Sequence, residues 1–316
     1  MNPAVSVVIP FRGRIRWLRE AVDSVLAQTF RDFELILVDD GSLEDVSGEP
    51  WVRHGLVRYV RQDPRGPGAA RNHGVRLARG MYVAFLDSDD LFLPEKLEVQ
   101  YREMEARPDV ALSHTSYERV DAEGRFLEVI DSGAFTGRVY PGILNRCVIA
   151  TPTVMVRRVS FRDTPFDESA RVGEDVILWV RIARHHEILG IRKPLARVRM
   201  HGENAALLPE AQLEGSLNIL RAAFREDRSF PAAYRRDAYA KVFNGVANRY
   251  QGEGKHQRAL GVLLAGMRYA PANREILGNV VRTMGGIARA VVPARYHPAL
   301  KRLRDVILRR TGAGNR

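Results

Sequence analysis

The first 110 residues alternate between continuous apolar runs and amphipathic segments. Residues 5–9, 33–38 and 57–61 are short apolar runs typical of buried strands. Between the first two runs, apolar residues recur at helical spacing from Ile15 to Leu26, which predicts a helix with one buried face. Strands that alternate with helices in this way indicate an α/β fold built on a mostly parallel sheet.

The later pattern predicts a change of architecture. Gly66-Pro67-Gly68 should precede a helix that stops at Gly80, and Pro94 should lie in the first turn of another. From residue 110 onward short strands and turns follow, with a hairpin turn at 121–124 and a strand at 153–157. We predict a main domain over 1–205 and a helical C-terminal region over 206–316, in which residues 252–276 resemble one helix-turn-helix repeat.

Acidic residues follow two of the apolar runs directly. Asp39 and Asp40 follow the apolar run of FELILVDDGS. A further apolar run, in MYVAFLDSDD, is followed by Asp87, Asp89 and Asp90. Open α/β sheets bind ligands beyond the carboxyl ends of their strands, so these acids should face a crevice. Three carboxylates so close together repel one another unless a cation or hydrogen-bond donors screen them, and divalent metals prefer such oxygen ligands. The pattern predicts a metal-diphosphate site.

Composition and charge narrow the class of protein. With 316 residues, 45% of them hydrophobic, the chain can bury a large core, and a single cysteine, Cys147, excludes a disulfide framework. The net charge is +11, but residues 282–316 hold nine Arg or Lys and one acid, Asp305, a net charge of +8. The remaining body is nearly neutral, which argues against nucleic acid as a partner.

The basic C-terminal segment has amphipathic spacing. Leu300, Leu303, Val306 and Ile307 repeat at helical intervals, and basic residues occupy the other positions. Residues 286–316 could therefore bind an anionic membrane surface, or the helix could pack on the body with its arginines solvated. Because no apolar stretch is long enough to span a bilayer, we expect a cytoplasmic protein, peripheral at the inner face of the cell membrane if the tail binds lipid.

Four motifs, taken in order, carry a family resemblance. They are VSVVIPF, VDDGS, ARNHGVRLARGMYVAFLDSDD and GEDVILWVRI. In this order they resemble the family-2 glycosyltransferases of the GT-A fold, over residues 3 to 205. The resemblance implies a nucleotide-sugar-binding half at 1–110, an acceptor-binding half at 111–205, and transfer of a sugar to a glycan, lipid or protein acceptor.

The resemblance also implies a nucleotide-sugar site. The residues it assigns to the donor are Pro10, Phe11, Arg12, Asp39, Asp40, Arg71, Asn72, Asp87 and Ser88. Asp40 is the first choice for the base or ribose, and the donor is expected to be UDP-linked. Two simpler interpretations remain open: the Asp-Gly-Ser segment could be only a turn, and Arg71 could form only a surface ion pair. The usual Pro-x-Tyr-Asn is replaced here by Pro-Phe-Arg-Gly, so an aromatic group near the base is missing or displaced to Phe11.

The same resemblance implies a metal site and a catalytic base. Asp89 matches the principal ligand, Asp87 an acid that contacts ribose or metal, and His201 a histidine near the metal. Mn²⁺ or Mg²⁺ suits such ligands, and histidine favours Mn²⁺. Asp175 matches the base of an inverting transfer, with Glu174 as the neighbouring contender. Both acids could instead only compensate the dipole of a helix start.

Two other classes of protein are alternatives to a glycosyltransferase. A sugar nucleotidyltransferase should carry a glycine-rich loop with Lys and Arg after the first strand, and only Arg12-Gly13-Arg14 stands there. A non-catalytic nucleotide-sugar-binding protein would be indicated if Asp175 proved dispensable. The sequence does not identify the sugar, the acceptor or the oligomeric state.

Overall fold

A computed structural model describes residues 2–145, 147–202 and 208–291, together with positions 298, 301, 302 and 304–306. The chain divides into two compact units, Met1–Glu203 and Asn204–Arg316. The domain boundary predicted near residue 205 lies close to this division.

The first unit is built on a mixed sheet of nine strands within the described residues. The strands are β1 (Val5–Phe11), β2 (Phe33–Asp39), β3 (Val57–Arg61), β4 (Tyr82–Phe85), β5 (Leu91–Phe92), β6 (Leu112–Val120), β7 (Phe126–Ile130), β8 (Met155–Arg157) and β9 (Ile188–Arg199). Their order is β3-β2-β1-β4-β8-β6-β9-β5, and β7 pairs with β6. Strands β1 to β4 are parallel, as predicted, whereas β8 and β5 run antiparallel to their neighbours.

Helices cover the sheet because its central strands are apolar on both faces. Every residue of β1, β2 and β4 is buried. The helices of this unit are α1 (Ile15–Leu26), α2 (Pro67–Leu77), α3 (Lys96–Glu105) and α4 (Glu174–His185). Val7 and Ile9 pack in one core with Leu18 of α1. Successive side chains of a strand point to opposite faces, and the intervening Val8 meets α2 at Gly74.

Two predicted elements differ in their bounds. Helix α2 ends at Leu77 rather than at Gly80, since the backbone of Ala78 is already extended. The strand predicted over 153–157 is shorter, because Thr151–Thr153 forms a 3₁₀ turn with Pro152 in it and β8 begins at Met155. Proline lacks the N–H that a strand ladder needs, so it favours the turn. The predicted hairpin turn does connect β6 to β7.

The second unit is helical in its described part, as predicted. It contains α5 (Pro209–Glu226), α6 (Ala232–Gly252), α7 (His256–Gly266) and α8 (Arg274–Val291). Ala259 and Leu263 of α7 share a core with Ile276 of α8. Leu300, Leu303 and Ile307 of the predicted basic helix lie outside the described residues. Across the described ranges, none of the helices is both long and apolar enough to cross a bilayer.

Candidate active site

The acids predicted from the sequence meet at one edge of the sheet. Strands β1, β2 and β4 are parallel neighbours, and Phe11 at the end of β1 pairs with Asp39 at the end of β2. The segments that follow these strands therefore lie at their carboxyl ends, where α/β sheets form ligand crevices. Arg12 is exposed there, whereas Pro10 and Phe11 are buried in β1.

The Asp39 side chain stabilises the backbone at this edge of the sheet. Its carboxylate is fully buried and accepts hydrogen bonds from the Ser42 backbone N–H at 2.7 Å and the Tyr59 hydroxyl at 2.9 Å. Burial and the bond to Asp39 raise the pKa of Tyr59 to about 12. Asp39 thus fixes the turn after β2, and none of its side chain is exposed.

Asp40 ties the turn after β2 to the loop that leads into α2. Its Oδ1 accepts from Gln62 Nε2 at 2.8 Å and from the Arg65 backbone N–H at 2.9 Å, while Oδ2 accepts from the Gly66 N–H at 2.8 Å. The turn requires glycine at position 41, where φ is +76° and a Cβ would lie 2.5 Å from the Pro64 side chain. Asp40 therefore shapes the approach to the amino end of α2.

Arg71 joins three elements at the centre of the site. From α2, its guanidinium donates to Asp87 Oδ1 and to Glu174 Oε1, each at 2.6 Å, and the side chain is buried. Burial alone would lower the pKa of Arg71, but the two carboxylates raise it above its ordinary value. Arg71 is thus a permanently charged link between the end of β4 and the start of α4, not a surface ion pair.

Asn72 holds the chain segment that precedes α4. Its amide nitrogen donates to the Phe166 carbonyl at 3.0 Å, and its amide oxygen accepts from the Phe166 N–H at 2.9 Å. The same nitrogen donates to Glu168 at 3.0 Å. The structure gives Asn72 a clear role in positioning residues 166–168.

Asp89 and His201 lie side by side. Asp89 Oδ2 is 2.9 Å from His201 Nε2 and accepts a hydrogen bond from Arg14 Nη1 at 3.1 Å. Ser88 and Asp87 precede Asp89 and are half-buried. Burial and the charges of Asp89 and Asp87 raise the pKa of Asp90, whose carboxylate accepts from the Arg199 N–H at 2.8 Å.

Three residues that support the Asp89–His201 pair were missed by the sequence reasoning. The buried guanidinium of Arg199 donates to the carbonyls of Asp89 and Ala122, each at 2.9 Å. It also donates to Glu20 of α1 at 2.6 Å. The Trp17 ring, also from α1, lies 4.5 Å from the His201 ring and 5.6 Å from the Arg199 guanidinium. Arg199 is far from Trp17 and Glu20 in the chain, and no local motif points to these residues.

The two acids at the start of α4 occupy different environments. Glu174 is buried against Arg71, and burial raises the pKa of Glu174 to about 7 although Arg71 lowers it. Asp175 is half-buried and accepts from the Thr151 hydroxyl and the Val176 N–H, each at 2.7 Å. The more accessible Asp175 is therefore oriented by hydrogen bonds, and Thr151 is a further residue that the sequence reasoning missed.

A known protein family matches about half of this chain. The family described as Glycosyl transferase family 2 matches residues 6–162, which include β1 to β8 and the acids after β2 and β4. This chain belongs to glycosyltransferase family 2. An uncharacterized glycosyltransferase of Rickettsia bellii (strain RML369-C) is 43% identical over 225 residues, 68% of this chain and 31% of that protein. The chain thus spans about a third of that relative's length.

Solved structures share the fold of this glycosyltransferase-family chain. S. aureus TarS 1-349 in complex with UDP-GlcNAc has a TM-score of 0.62 at 20% identity, over 99% of this chain and 90% of that one. The mannosyltransferase PcManGT from Pyrobaculum calidifontis, in complex with GDP-Man and Mn2+, has a TM-score of 0.58 at 17% identity, over 95% and 84%. At these identities the likeness shows the GT-A fold.

The side chains of this family-2 chain fit a metal ion that is shared with a phosphate ligand. Asp89 and His201 converge, with 2.9 Å between Oδ2 and Nε2, and Asp87 is bound to Arg71 through one oxygen. Mg²⁺ is commonly held by one or two carboxylates plus substrate phosphates, so two protein ligands suffice. No group of three or more His, Cys, Asp or Glu residues suited to a metal occurs in the described part of the chain. A metal cage made of protein ligands alone therefore does not fit the described residues.

Proposed function

We propose that this chain is an inverting, metal-dependent glycosyltransferase that moves a sugar from a UDP-linked donor to an acceptor hydroxyl of a glycan, lipid or protein. The observation that carries the proposal is the ion-pair network around Arg71. This residue links the acids after β4, which suit a diphosphate and its metal, to the acids that begin α4. A leaving-group site and a candidate base thereby share one crevice edge.

The donor would lie along the carboxyl ends of β1, β2 and β4. Asp39 and Asp40 shape the turn that borders it, and exposed Arg12 stands beside them. UDP is the proposed nucleotide because TarS, the neighbour with 99% coverage, has been solved with UDP and with UDP-GlcNAc. The mannosyltransferase neighbour was solved with GDP-Man, which makes GDP the competing choice.

Charge on the departing diphosphate needs compensation. Arg14 lies against the Asp89 carboxylate, with 3.1 Å between Nη1 and Oδ2, and it is partly exposed. Asp89 and His201 would hold the metal ion, Mn²⁺ or Mg²⁺. Such an ion supplies Lewis-acid stabilisation of the negative charge on the leaving nucleoside diphosphate. The ring of Trp17 and the guanidinium of Arg199 keep its two principal ligands in place.

Asp175 would act as the base. It takes the proton of the acceptor hydroxyl while that oxygen attacks the anomeric carbon from the side opposite the diphosphate, and the bond from that carbon to the diphosphate oxygen breaks. A single displacement of this kind inverts the configuration. The hydrogen bond from Thr151 holds one carboxylate oxygen of Asp175, which restricts its rotation before the acceptor arrives.

The competing classes of function have less support. The loop after β1 offers only Arg12, Gly13 and Arg14 where a sugar nucleotidyltransferase needs a longer glycine-rich basic loop. A non-catalytic binding protein would not need an acid that is both accessible and oriented at the start of α4. Membrane binding by residues 286–316 stays a prediction, since most of that segment lies outside the described residues.

Donor binding is testable before the acceptor is known. Ligands that bind the native state raise its stability, by about 2.7 kcal/mol at a ligand concentration of 100 Kd. UDP with Mn²⁺ should raise the thermal midpoint of the wild-type protein, and Asp89→Asn should reduce the part of the shift that requires Mn²⁺. Asp305→Asn serves as a control that removes one acid from the basic segment. No shift with any nucleoside diphosphate, or an Asp89→Asn shift equal to wild type, would contradict the proposal.

A further inference from the structure

Gln100 of α3 is a polar residue whose side chain lies wholly inside the protein. Its amide nitrogen donates to the Thr153 carbonyl and to the Ser113 hydroxyl, each at 3.0 Å, and to the Ser113 carbonyl at 3.3 Å. Its amide oxygen accepts from the amine of Lys96, one helical turn earlier. Burying an amide costs free energy unless it is hydrogen-bonded, and both ends of this one are. The side chain therefore ties α3 to two other segments of the chain.

The partners of Gln100 fix the orientation of its amide. A backbone carbonyl only accepts hydrogen bonds, so the amide nitrogen must face Ser113 and Thr153. The amide oxygen must then face Lys96, which is also fully buried, with Nζ 4.4 Å from the centre of the Phe92 ring. Burial lowers the pKa of Lys96 to about 7, but an amine donates hydrogen bonds with or without its charge. Lys96 thus holds the amide in both of its protonation states.

The two segments that Gln100 joins are neighbours in the sheet. Ser113 belongs to β6 and pairs with Met155 of β8. Thr153 is the last residue of the buried 3₁₀ turn that begins at Thr151, and β8 starts two residues later. Gln100 therefore anchors the end of this turn to α3 and to β6.

The same turn presents Thr151 to the proposed base. The Thr151 hydroxyl donates to Asp175 Oδ2 at 2.7 Å, and it lies two residues before the carbonyl that Gln100 binds. Because a 3₁₀ turn fixes its consecutive residues relative to one another, a shift of Thr153 also moves Thr151. A hydrogen bond weakens steeply as its angle departs from linearity, so a small shift is enough to loosen Asp175.

We propose that Gln100 is a positioning residue for Asp175, which acts through the turn from Thr151 to Thr153, and that Lys96 orients its amide. The inference rests on the proposed function, because it takes Asp175 to be the base. Since Gln100 has no exposed surface, it does not touch a substrate. Its effect should therefore appear in kcat and not in KM.

Gln100→Glu tests the link to Thr153 with little change in side-chain size. The new carboxylate still accepts from Lys96, but it has no N–H to donate to Thr153. This variant should lower kcat about tenfold and leave KM nearly unchanged, the effect of one weakened hydrogen bond. Gln100→Met, which introduces no charge, should do the same. Ser113→Ala is the matched control, because it removes one partner of Gln100 but keeps the bond to Thr153, and its kcat should equal that of wild type.

A double-mutant cycle with Thr151→Val separates positioning from a general loosening of the core. If Gln100 acts through Thr151, its substitution should lower kcat little further once the Thr151 hydroxyl is gone. A merely structural role predicts that the two losses multiply. Losses that multiply, an effect on KM alone, or a wild-type kcat in both Gln100 variants would overturn the proposal. Circular dichroism checks that each variant folds.

Crystal structures of Gln100→Met and Ser113→Ala give a readout that needs no activity. In Gln100→Met, Thr151 Oγ1 and Asp175 Oδ2 should separate beyond hydrogen-bond range, about 3.5 Å, whereas Ser113→Ala should keep them bonded. If the wild type releases no UDP from any UDP-sugar, the proposed function fails, and this distance still decides whether Gln100 holds the bond between Thr151 and Asp175. An unchanged distance in Gln100→Met would overturn the proposal.

Discussion

At the residue scale, the site is defined by partners that come from distant parts of the chain. The sequence predicts the acids after β2 and β4 and the Glu174–Asp175 pair, because each follows a recognisable apolar run or opens a helix. It does not predict Thr151, Trp17 or Arg199, since their roles depend on which segments meet in space. The assignment of Asp39 and Asn72 to the donor stays a prediction, and in the structure both side chains form hydrogen bonds within the chain.

Thr151→Val tests whether the hydroxyl of Thr151 orients the proposed base. Because this hydroxyl donates to Asp175 at 2.7 Å, its loss should lower kcat roughly ten- to a hundredfold, the equivalent of a hydrogen bond to a charged group, and leave KM nearly unchanged. Thr29→Val, an exposed threonine bound to Glu98, is the control and should behave as wild type. A rise in KM with unchanged kcat would assign Thr151 to substrate binding instead.

Glu174→Gln tests the buried environment of Glu174 through stability. Burial raises the pKa of Glu174 from 4.5 to about 7, so the folded state holds this proton more tightly than the unfolded state does. The protonated Glu174 therefore contributes its full stabilisation below pH 4.5, and this stabilisation is lost as the pH rises through about 7. The free energy of unfolding of wild type relative to Glu174→Gln should therefore fall across this interval in urea titrations. A difference that stays flat or rises would contradict the assignment, and Glu214→Gln on the exposed face of α5 controls for the lost charge.

At the element scale, the positions of α2 and α4 relative to the sheet decide the geometry of the site. The sequence predicts β1 to β3 and α1 because their apolar patterns are strong. It does not predict β5 or the strand order in the second half of the sheet, because short strands carry little periodicity and strand order is not local information. The close contact of α2 with β1 is also invisible in the sequence, and it places Arg71 over the end of β4.

Gly74→Ala tests this contact. A Cβ at Gly74 would lie 2.4 Å from Val8 Cγ1, so the substitution should overpack the interface and destabilise the protein by about 1–3 kcal/mol. Val8→Ala in the same chain should restore part of the loss. Gly245→Ala in α6 is the matched control, since no atom lies within 4 Å of its added Cβ and helical alanine should be neutral or stabilising. The thermal midpoint of each of the three variants is the measurement. An unchanged midpoint for Gly74→Ala would mean that α2 can shift on β1 without cost.

At the scale of the whole molecule, the order of the motifs along the chain was more informative about family and fold than the pattern of any single helix or strand. Four motifs in sequence identified the family and its GT-A fold, and both are confirmed. The net charge predicted a nearly neutral body with a basic end, but the acceptor follows from neither charge nor motif. The family match covers residues 6–162 and does not identify the acceptor.

Release of UDP from UDP-sugars tests the central claim most directly. With Mn²⁺ and either water or a glycan as acceptor, the wild-type protein should release UDP from at least one UDP-sugar. Asp175→Asn should bind UDP as wild type does, with an equal thermal shift, yet release it more slowly by about 10²–10⁴-fold, the contribution of a positioned base. Equal release by Asp175→Asn, or no release by the wild type from any UDP-sugar, would contradict the account.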